Sequence, residues 1–461
     1  MRIFLQVLLA LAVTGGLVMA AIILIPVSRT PMSQLPPEGW EPEAGAGEYV
    51  MRAGDCIACH TVDGGAELAG GRPIESPLGT IYTANITPDP ETGIGGWTLE
   101  QFRAALVDGL RGDGSHLYPA MPYENYRFLT ETDIQALYRF FMEEVPPVRN
   151  AVKEPELPFP FNQRWGLRAL NWLTLRHDSG FTGTMGDPVL DRGQYLVEGP
   201  GHCAACHSPR TIYMGQDGLR ADEPAFLTGG YIEGQEAPPL RGPQSVIRKW
   251  PIGELTAFLA TGRNFASTAN GEMGLVVEHS LQYLSDEDII AMARFLKAQD
   301  GQPHDPPETA VPEGPLALPP AGTDQAGEAT TRMLSMAPPY MPLGARLYLD
   351  NCAQCHFVTG RGSPDIFPAL QGNSLVVSEE VTPLISIILH GAKVEGTKKR
   401  PMPLVMQGYA DRLTDSEIAE LASFVRQAWG NDGTPVSAED VKEIRAQEPA
   451  LAQQKDGSGR P

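Results

Sequence analysis

With 461 residues, the chain has room for about three ordinary domains, and its 35 Lys+Arg against 56 Asp+Glu give a formal net charge of −21. That balance excludes nucleic-acid recognition, which needs a basic face; an acidic surface keeps a chain soluble and steers cationic partners. The 49 Gly and 42 Pro predict short helices separated by much loop and linker.

From the N-terminus, Ile3 to Val27 carries no charged residue. A bilayer core needs about 20 helical residues, whereas the apolar part of a signal peptide spans roughly 7–15. The run continues past the weak cleavage candidate Val18-Met19-Ala20, through AIILIPV. Residues 1–29 are therefore expected to be an uncleaved membrane anchor rather than a cleaved signal, and in either case to send the chain to export. One arginine stands at each end, Arg2 and Arg29, so positive charge alone does not set the orientation.

The six cysteines form three pairs, each followed at once by a histidine. They are Cys56 and Cys59 with His60, Cys203 and Cys206 with His207, and Cys352 and Cys355 with His356. None is left for a disulfide framework, and C-x-x-C-H is the attachment signature of c-type haem. The spacing has a chemical reason. One turn of helix presents both thiols to one porphyrin edge, where each adds to a vinyl group, and the adjacent histidine turns its ring under the iron as proximal ligand. A zinc site would want four ligands in a closed set, and a thioredoxin-type pair follows a strand and carries no obligatory histidine. Three such motifs using every cysteine point to three covalently bound haem c groups, attached on the outer face of the bacterial inner membrane.

The first cysteines of the motifs are 147 and then 149 residues apart, which predicts one domain copied three times. The expected domains are 40–148, 186–300 and 339–432, with linkers at 149–185 and 301–338 and a polar tail at 433–461. A leading helix runs into each motif, in GEYVMRAGDC, GQYLVEGPGHC and GARLYLDNC. A middle helix follows, from Trp97, from Trp250 and in TPLISIILHG, each ending in the Gly expected at C′. A closing helix ends each copy, in LTETDIQALYRFFM, LSDEDIIAMARFLK and LTDSEIAELASFVR. Its N-cap is Thr130, Ser285 or Thr414, with Asp133, Asp288 or Glu417 three residues on in a capping-box pattern. Ile134, Leu137, Tyr138 and Phe141 make the apolar face of the first. In a class I cytochrome c fold the first and last helices cross, and these faces are core where they meet. The linker PPVRNAVKEPELPFPFNQRW is expected to be stiff and extended. The longer one, from about Asp300 to Pro342, is expected to be irregular or to wrap over a neighbouring domain.

A histidine alone leaves one axial position of the iron open, and a methionine sulfur closes it and raises the potential. Met121, in YPAMPYENYRFLT, has the Met-Pro step in a loop before the closing helix. Met273 stands 66 residues after His207, whereas Met214 is too near its motif. Copy three offers Met402, with its own Met-Pro step, and Met406, with Tyr409 following; Met406 is preferred, and the other serves loop packing. His202, His279 and His390 are expected at surface or supporting positions. His116, five residues before Met121, is the weaker rival to it.

These residues make the chain resemble the three-haem cytochrome c subunits of bacterial membrane-bound periplasmic dehydrogenases. Those subunits pair with quinoprotein alcohol dehydrogenases, flavin-dependent gluconate, sorbitol or fructose dehydrogenases, and molybdenum aldehyde or N-heterocycle oxidoreductases. Beyond the motifs, the resemblance rests on GTIYTANITPDPETGIGGW, LYPAMPY, GQYLVEGPGHCAACHSPR and FVRQAWGN, and it covers nearly all of residues 45–445. Copy two departs from it after Tyr231, where APPLRGPQSVIRKW replaces the NIT-type loop of copy one.

The expected fold is mainly α: three class I cytochrome c domains in tandem behind an N-terminal transmembrane helix. The resemblance implies an electron-transfer subunit at the periplasmic face of the inner membrane. It would take electrons from a large flavin, PQQ or molybdenum dehydrogenase subunit and pass them to ubiquinone or the respiratory chain, with quinone reduction as its one conceivable catalytic share. No hydride-binding fingerprint or nucleophile constellation is present, and Gly93 to Gly96 fits a turn. A multihaem peroxidase would need an open iron, against three methionine candidates. A free-standing anchored cytochrome donating to a terminal oxidase is the other alternative.

Overall fold

Each closing helix starts at the hydroxyl residue expected of it. The side chains of Thr130, Ser285 and Thr414 accept from the backbone N–H of Asp133, Asp288 and Glu417, and the helices Glu131–Arg139, Asp286–Ala298 and Asp415–Gln427 follow. The reciprocal bond that completes a capping box is present at Thr414, where the Glu417 carboxylate accepts from the cap's N–H. In copy one the Asp133 carboxylate is taken instead by the hydroxyl of Tyr195, which comes from the leading helix of copy two.

The computed structural model describes residues 2–25, 29–32, 36–76, 78–175, 179–212, 214–232, 235–301 and 325–455. It is mainly helical, with three two-stranded antiparallel hairpins. The chain divides into two compact units, Met1–Leu227 and Thr228–Pro461, and the division falls inside the expected second domain. Most of the expected linker 301–338 lies outside the described residues.

In the first unit an N-terminal helix, Arg2–Leu24, covers 23 residues. Its side chains at 2, 8, 11, 12, 23 and 24 are outside the description, and among the described residues no helix is long and apolar enough to cross a membrane. The chain that follows is tied to copy one: the Thr30 N–H donates to the Asp108 carboxylate at 3.2 Å, and Arg103 donates to the Thr30 carbonyl at 2.6 Å. The leading helix Ala46–Ala53 crosses the closing helix Glu131–Arg139 at Gly47, where a Cβ would stand 2.5 Å from the Cβ of Phe140. The middle helix Leu99–Asp108 opens on a full capping box at Thr98 and Gln101 and ends at Gly109 in the left-handed region. The leading helix of copy two, Pro188–Glu198, is also here.

The stretch Pro146–Trp165, expected to be stiff and extended, is so only in part: it turns at residues 159–162 and enters a short 3-10 helix, Arg164–Gly166, at its end. Beyond it a helix forms over Leu167–Thr174.

In the second unit the middle helix Ile252–Thr261 and closing helix Asp286–Ala298 belong to copy two, and copy three is complete. Its leading helix, Leu343–Asn351, crosses Asp415–Gln427 at Gly344, where a Cβ would stand 2.7 Å from the Cβ of Phe424. Gly47 and Gly344 are thus equivalent, each facing the residue ten past its closing cap. Copy three's middle helix, Thr382–His390, ends at Gly391, which leads straight into a hairpin, Gly391–Val394 with Leu404–Gln407.

Two further helices pack on this core. Gln325–Met336 buries Leu334. Ala438–Lys455 buries Val441 and Ile444, while Arg445 donates to Asp415 and to the Ala410 carbonyl at 2.7 and 2.6 Å. The segment expected as a polar tail is therefore part of the third domain. Its few apolar residues are too sparse to read as a core-facing stripe.

Replacing Gly344 by Val should force the crossing helices apart and cost about 1–3 kcal/mol, as overpacking does. Thermal unfolding of the purified chain checks this, and an unchanged midpoint would show that the close approach has slack.

Candidate functional site

The cysteine–histidine motifs sit on single turns of helix, Cys56–His60, Ala204–His207 and Ala353–His356, each directly after a leading helix. None of the six cysteines is in a disulfide. Burial pushes the Cys56, Cys203 and Cys352 thiols up to about 12. A redox dithiol needs the opposite shift, whereas a thiol consumed as a thioether needs none.

The histidine rings of copies one and three are held alike. His60 Nδ1 lies 2.7 Å from the Ala84 carbonyl oxygen, and His356 Nδ1 lies 3.0 Å from that of Pro368. A carbonyl can only accept, so Nδ1 carries the proton and the Nε2 lone pair is the one a metal could take. Burial lowers the pKa of both rings, against the raising effect of those same bonds, which favours the neutral form that a metal requires.

Around the turns stand residues that the sequence did not single out. Arg72 donates to the Ala58 carbonyl and Arg210 to the Ala205 carbonyl, each at 2.8 Å. Both carbonyls belong to the residue just before the second cysteine, so an arginine braces the same peptide in copies one and two. Nothing in the spacing marks these arginines, which lie at different distances from their motifs. Two tyrosines make a second parallel. The Tyr126 hydroxyl donates to the Gly54 carbonyl at 2.6 Å and that of Tyr409 to the Asn351 carbonyl at 2.5 Å. Each ties the chain after a candidate axial methionine to the backbone just before a motif.

The methionines are placed as follows. Met121 is half-buried in the turn before Tyr123–Tyr126. Met406 pairs with Ala392 across the hairpin, and strand alternation turns it with Leu404 toward the third core while Val405 faces out. Met402 is 73% exposed. Met273 lies in the helix Gly271–His279, in the second unit, while His207 lies in the first. His116 is buried with its Nδ1 3.2 Å from the Asn171 amide nitrogen. His390 is exposed at the end of its helix, and His279 is half-buried.

His202 is more than a surface residue. It adopts a left-handed φ of 36°, and its ring stands edge-on to Tyr126 with centroids 5.5 Å apart. Burial pushes its pKa down to about 4 despite a hydrogen bond to the Gly54 backbone. The attachment segments of copies one and two are therefore in contact through Gly54, Tyr126 and His202. Beside them, Asn125 donates to the Glu198 carbonyl at 3.1 Å and accepts from Gln216 at 2.7 Å.

A cytochrome c family model matches residues 342–429. The chain is 41% identical over 405 residues to the cytochrome c subunit of a quinone alcohol dehydrogenase from Gluconacetobacter polyoxogenes, covering 87% of this chain and 83% of that one. The chain belongs to the family of dehydrogenase cytochrome c subunits. It is 39% identical over 415 residues to the gluconate 2-dehydrogenase cytochrome c subunit of Pantoea cypripedii, covering 88% of this chain and 90% of the relative. To the fructose dehydrogenase cytochrome subunit of Gluconobacter japonicus it is 37% identical over 434 residues, covering 91% and 86%. As a dehydrogenase cytochrome c subunit it has an electron-transfer role, and its motifs bind haem c covalently.

Glu198 offers a check on the seam beside the second motif. It is buried, and burial pushes its carboxyl above the ordinary range, opposed by bonds from Gln194 and the Ala221 N–H. A carboxyl whose folded pKa is raised binds its proton more tightly when folded, so its contribution falls as pH rises from that range. Glu198→Gln should match wild type in acid and unfold at a higher temperature at neutral pH. Parallel melting curves across pH decide it.

Proposed function

We propose that this chain carries three haem c groups and passes electrons from a periplasmic dehydrogenase subunit to ubiquinone or the respiratory chain. The observation that carries this reading is the repeated attachment turn, with both thiols one turn apart and, in copies one and three, a proximal ring held by a backbone carbonyl. The haem supplies a one-electron iron couple; the protein's residues attach it, orient the proximal ring and set its surroundings.

The iron ligands are His60 with Met121, His207 with Met273, and His356 with Met406. For copy three, the inward face of the hairpin, the exposure of Met402 and the tyrosine clamp after Met406 all favour Met406. For copy two, Met273 rests on its sequence spacing from His207. The uncharged run from Ile3 to Val27, 25 positions in the sequence, supports an inner-membrane anchor, since a hydrocarbon core needs about 20 apolar residues. The rest of the chain then lies on the periplasmic side, where c-type haem is attached. Relatives named as subunits of alcohol, gluconate and fructose dehydrogenases support a large dehydrogenase partner, and the quinone in the first of those names supports quinone as acceptor.

A mild-detergent pull-down from native membranes should recover a dehydrogenase chain in stoichiometric amount. Recovery of the cytochrome alone, or with an oxidase, would sink the subunit reading and leave a free-standing carrier.

Haem content by alkaline pyridine spectra should be three per chain and drop by one when the cysteine pair of any one copy is changed to alanine. Met406→Leu should alter the ligation spectrum and lower the potential of one haem in three. Met402→Leu should change neither, and the reverse result would assign the ligand to Met402.

A further inference from the structure

The linker helix Leu167–Thr174 is built inside out. Its buried residues are Arg168 and Asn171, each 6% exposed, whereas Trp172 and Leu173 are 51% and 48% exposed. A helix on a water-facing surface buries its apolar stripe and shows its polar face; this one does the reverse.

Polar docking fixes that orientation. Asn171 accepts from the Tyr123 hydroxyl at 2.8 Å and donates to the Asp108 carbonyl at 3.3 Å. Arg164 lies over the Tyr118 ring at 4.5 Å and donates to the His116 carbonyl at 3.1 Å. Rolling the helix to hide Trp172 would break the Asn171 bonds, whose buried partners would then be unpaired. The preceding stretch shows the same habit, with Phe159 78%, Phe161 47% and Trp165 37% exposed.

Two observations say what covers this face. Arg168 donates to the carbonyls of Ile22 and Ile25, at the end of the N-terminal helix, while its guanidinium lies over the Trp172 ring at 5.2 Å. The apolar face therefore continues from the place where that helix ends. Charge agrees: from Leu157 to Leu175 there are two arginines and no acid, in a chain of net charge −21. Tryptophans and arginines beside an apolar face are the composition of a segment lying in the interface of an anionic bilayer.

We propose that Phe159–Leu173 is a second membrane contact, lying in the lipid interface beside the exit of the N-terminal helix and holding copy one at a fixed height and tilt. This rests on the anchor reading above. Its consequence differs from a tether's: a single helix leaves the attached domain free to swing, whereas a helix and an interfacial segment together remove that freedom.

The test uses the purified full-length holoprotein in vesicles of phosphatidylcholine and phosphatidylglycerol carrying a photoactivatable diazirine in the acyl chain, with labelled residues mapped by mass spectrometry. Label should appear on residues 3–24 and, several-fold above the level at water-exposed Ile212 and Tyr340, on Phe159–Leu173. Trp172→Ser with Leu173→Ser should lower linker labelling several-fold and leave that of residues 3–24 unchanged. Label on residues 3–24 with none above background on the linker would overturn the second contact and keep the anchor. Label on neither, with the protein failing to float with the vesicles, would overturn both. Strong linker labelling of the isolated chain that vanishes once the dehydrogenase chain is bound would give this face to the partner subunit instead and equally end the proposal.

Discussion

The close crossing of leading and closing helices at a glycine is the constraint on which the attachment sites of copies one and three depend. At Gly47 and Gly344 the missing side chain lets one helix backbone reach the next. The cysteine–histidine turn follows at the end of the same leading helix, so the crossing bears on where both thiols stand. Copy three adds a cluster of aromatic rings, Tyr348, Phe424 and Trp429, with centroids 5.0–5.8 Å apart. Aromatic pairs at such separations add to the area they bury, and here they stiffen the base of the site.

Around this frame the protein spends backbone carbonyls with purpose. Those of Ala84 and Pro368 orient the His60 and His356 rings, those of Gly54 and Asn351 hold the tyrosines, and those of Ala58 and Ala205 hold arginines. Every one of these acceptors lies in loop or at a helix end, where no regular ladder claims it. The loops that a high Gly and Pro content makes inevitable thus become the positioning apparatus.

This explains what could be read in the sequence and what could not. The attachment turns, the hydroxyl caps and the apolar faces follow local rules, so Cys56 to His60 and Thr130 to Phe141 were legible from residue types and spacing. The carbonyl partners were not, because any residue supplies a carbonyl and only the fold says which one is near. The helix Leu167–Thr174 was missed for a related reason. Its buried Arg168 and Asn171 invert the apolar pattern by which a docked helix is recognised. Ala438–Lys455 was read as tail because few of its described side chains, Ala438, Val441 and Ile444, supply apolar contact to the core. In copy two the closing cap at Ser285 was plain, whereas the division of that copy between two units has no mark in the sequence.

The seam between the first two copies changes the meaning of the linker that joins them. Asn125 with Glu198, Tyr126 with His202 and Tyr195 with Asp133 hold the second attachment segment directly against the first. Were the copies beads on a string, the length and stiffness of residues 149–185 would set how often they met. With the seam made, that length drops out. Electron tunnelling weakens steeply with separation, so a pair of redox sites on a loose string works at the mercy of its closest encounters. Two sites on one seam have a single spacing and a single rate, and the intervening residues are released to serve elsewhere on the molecule.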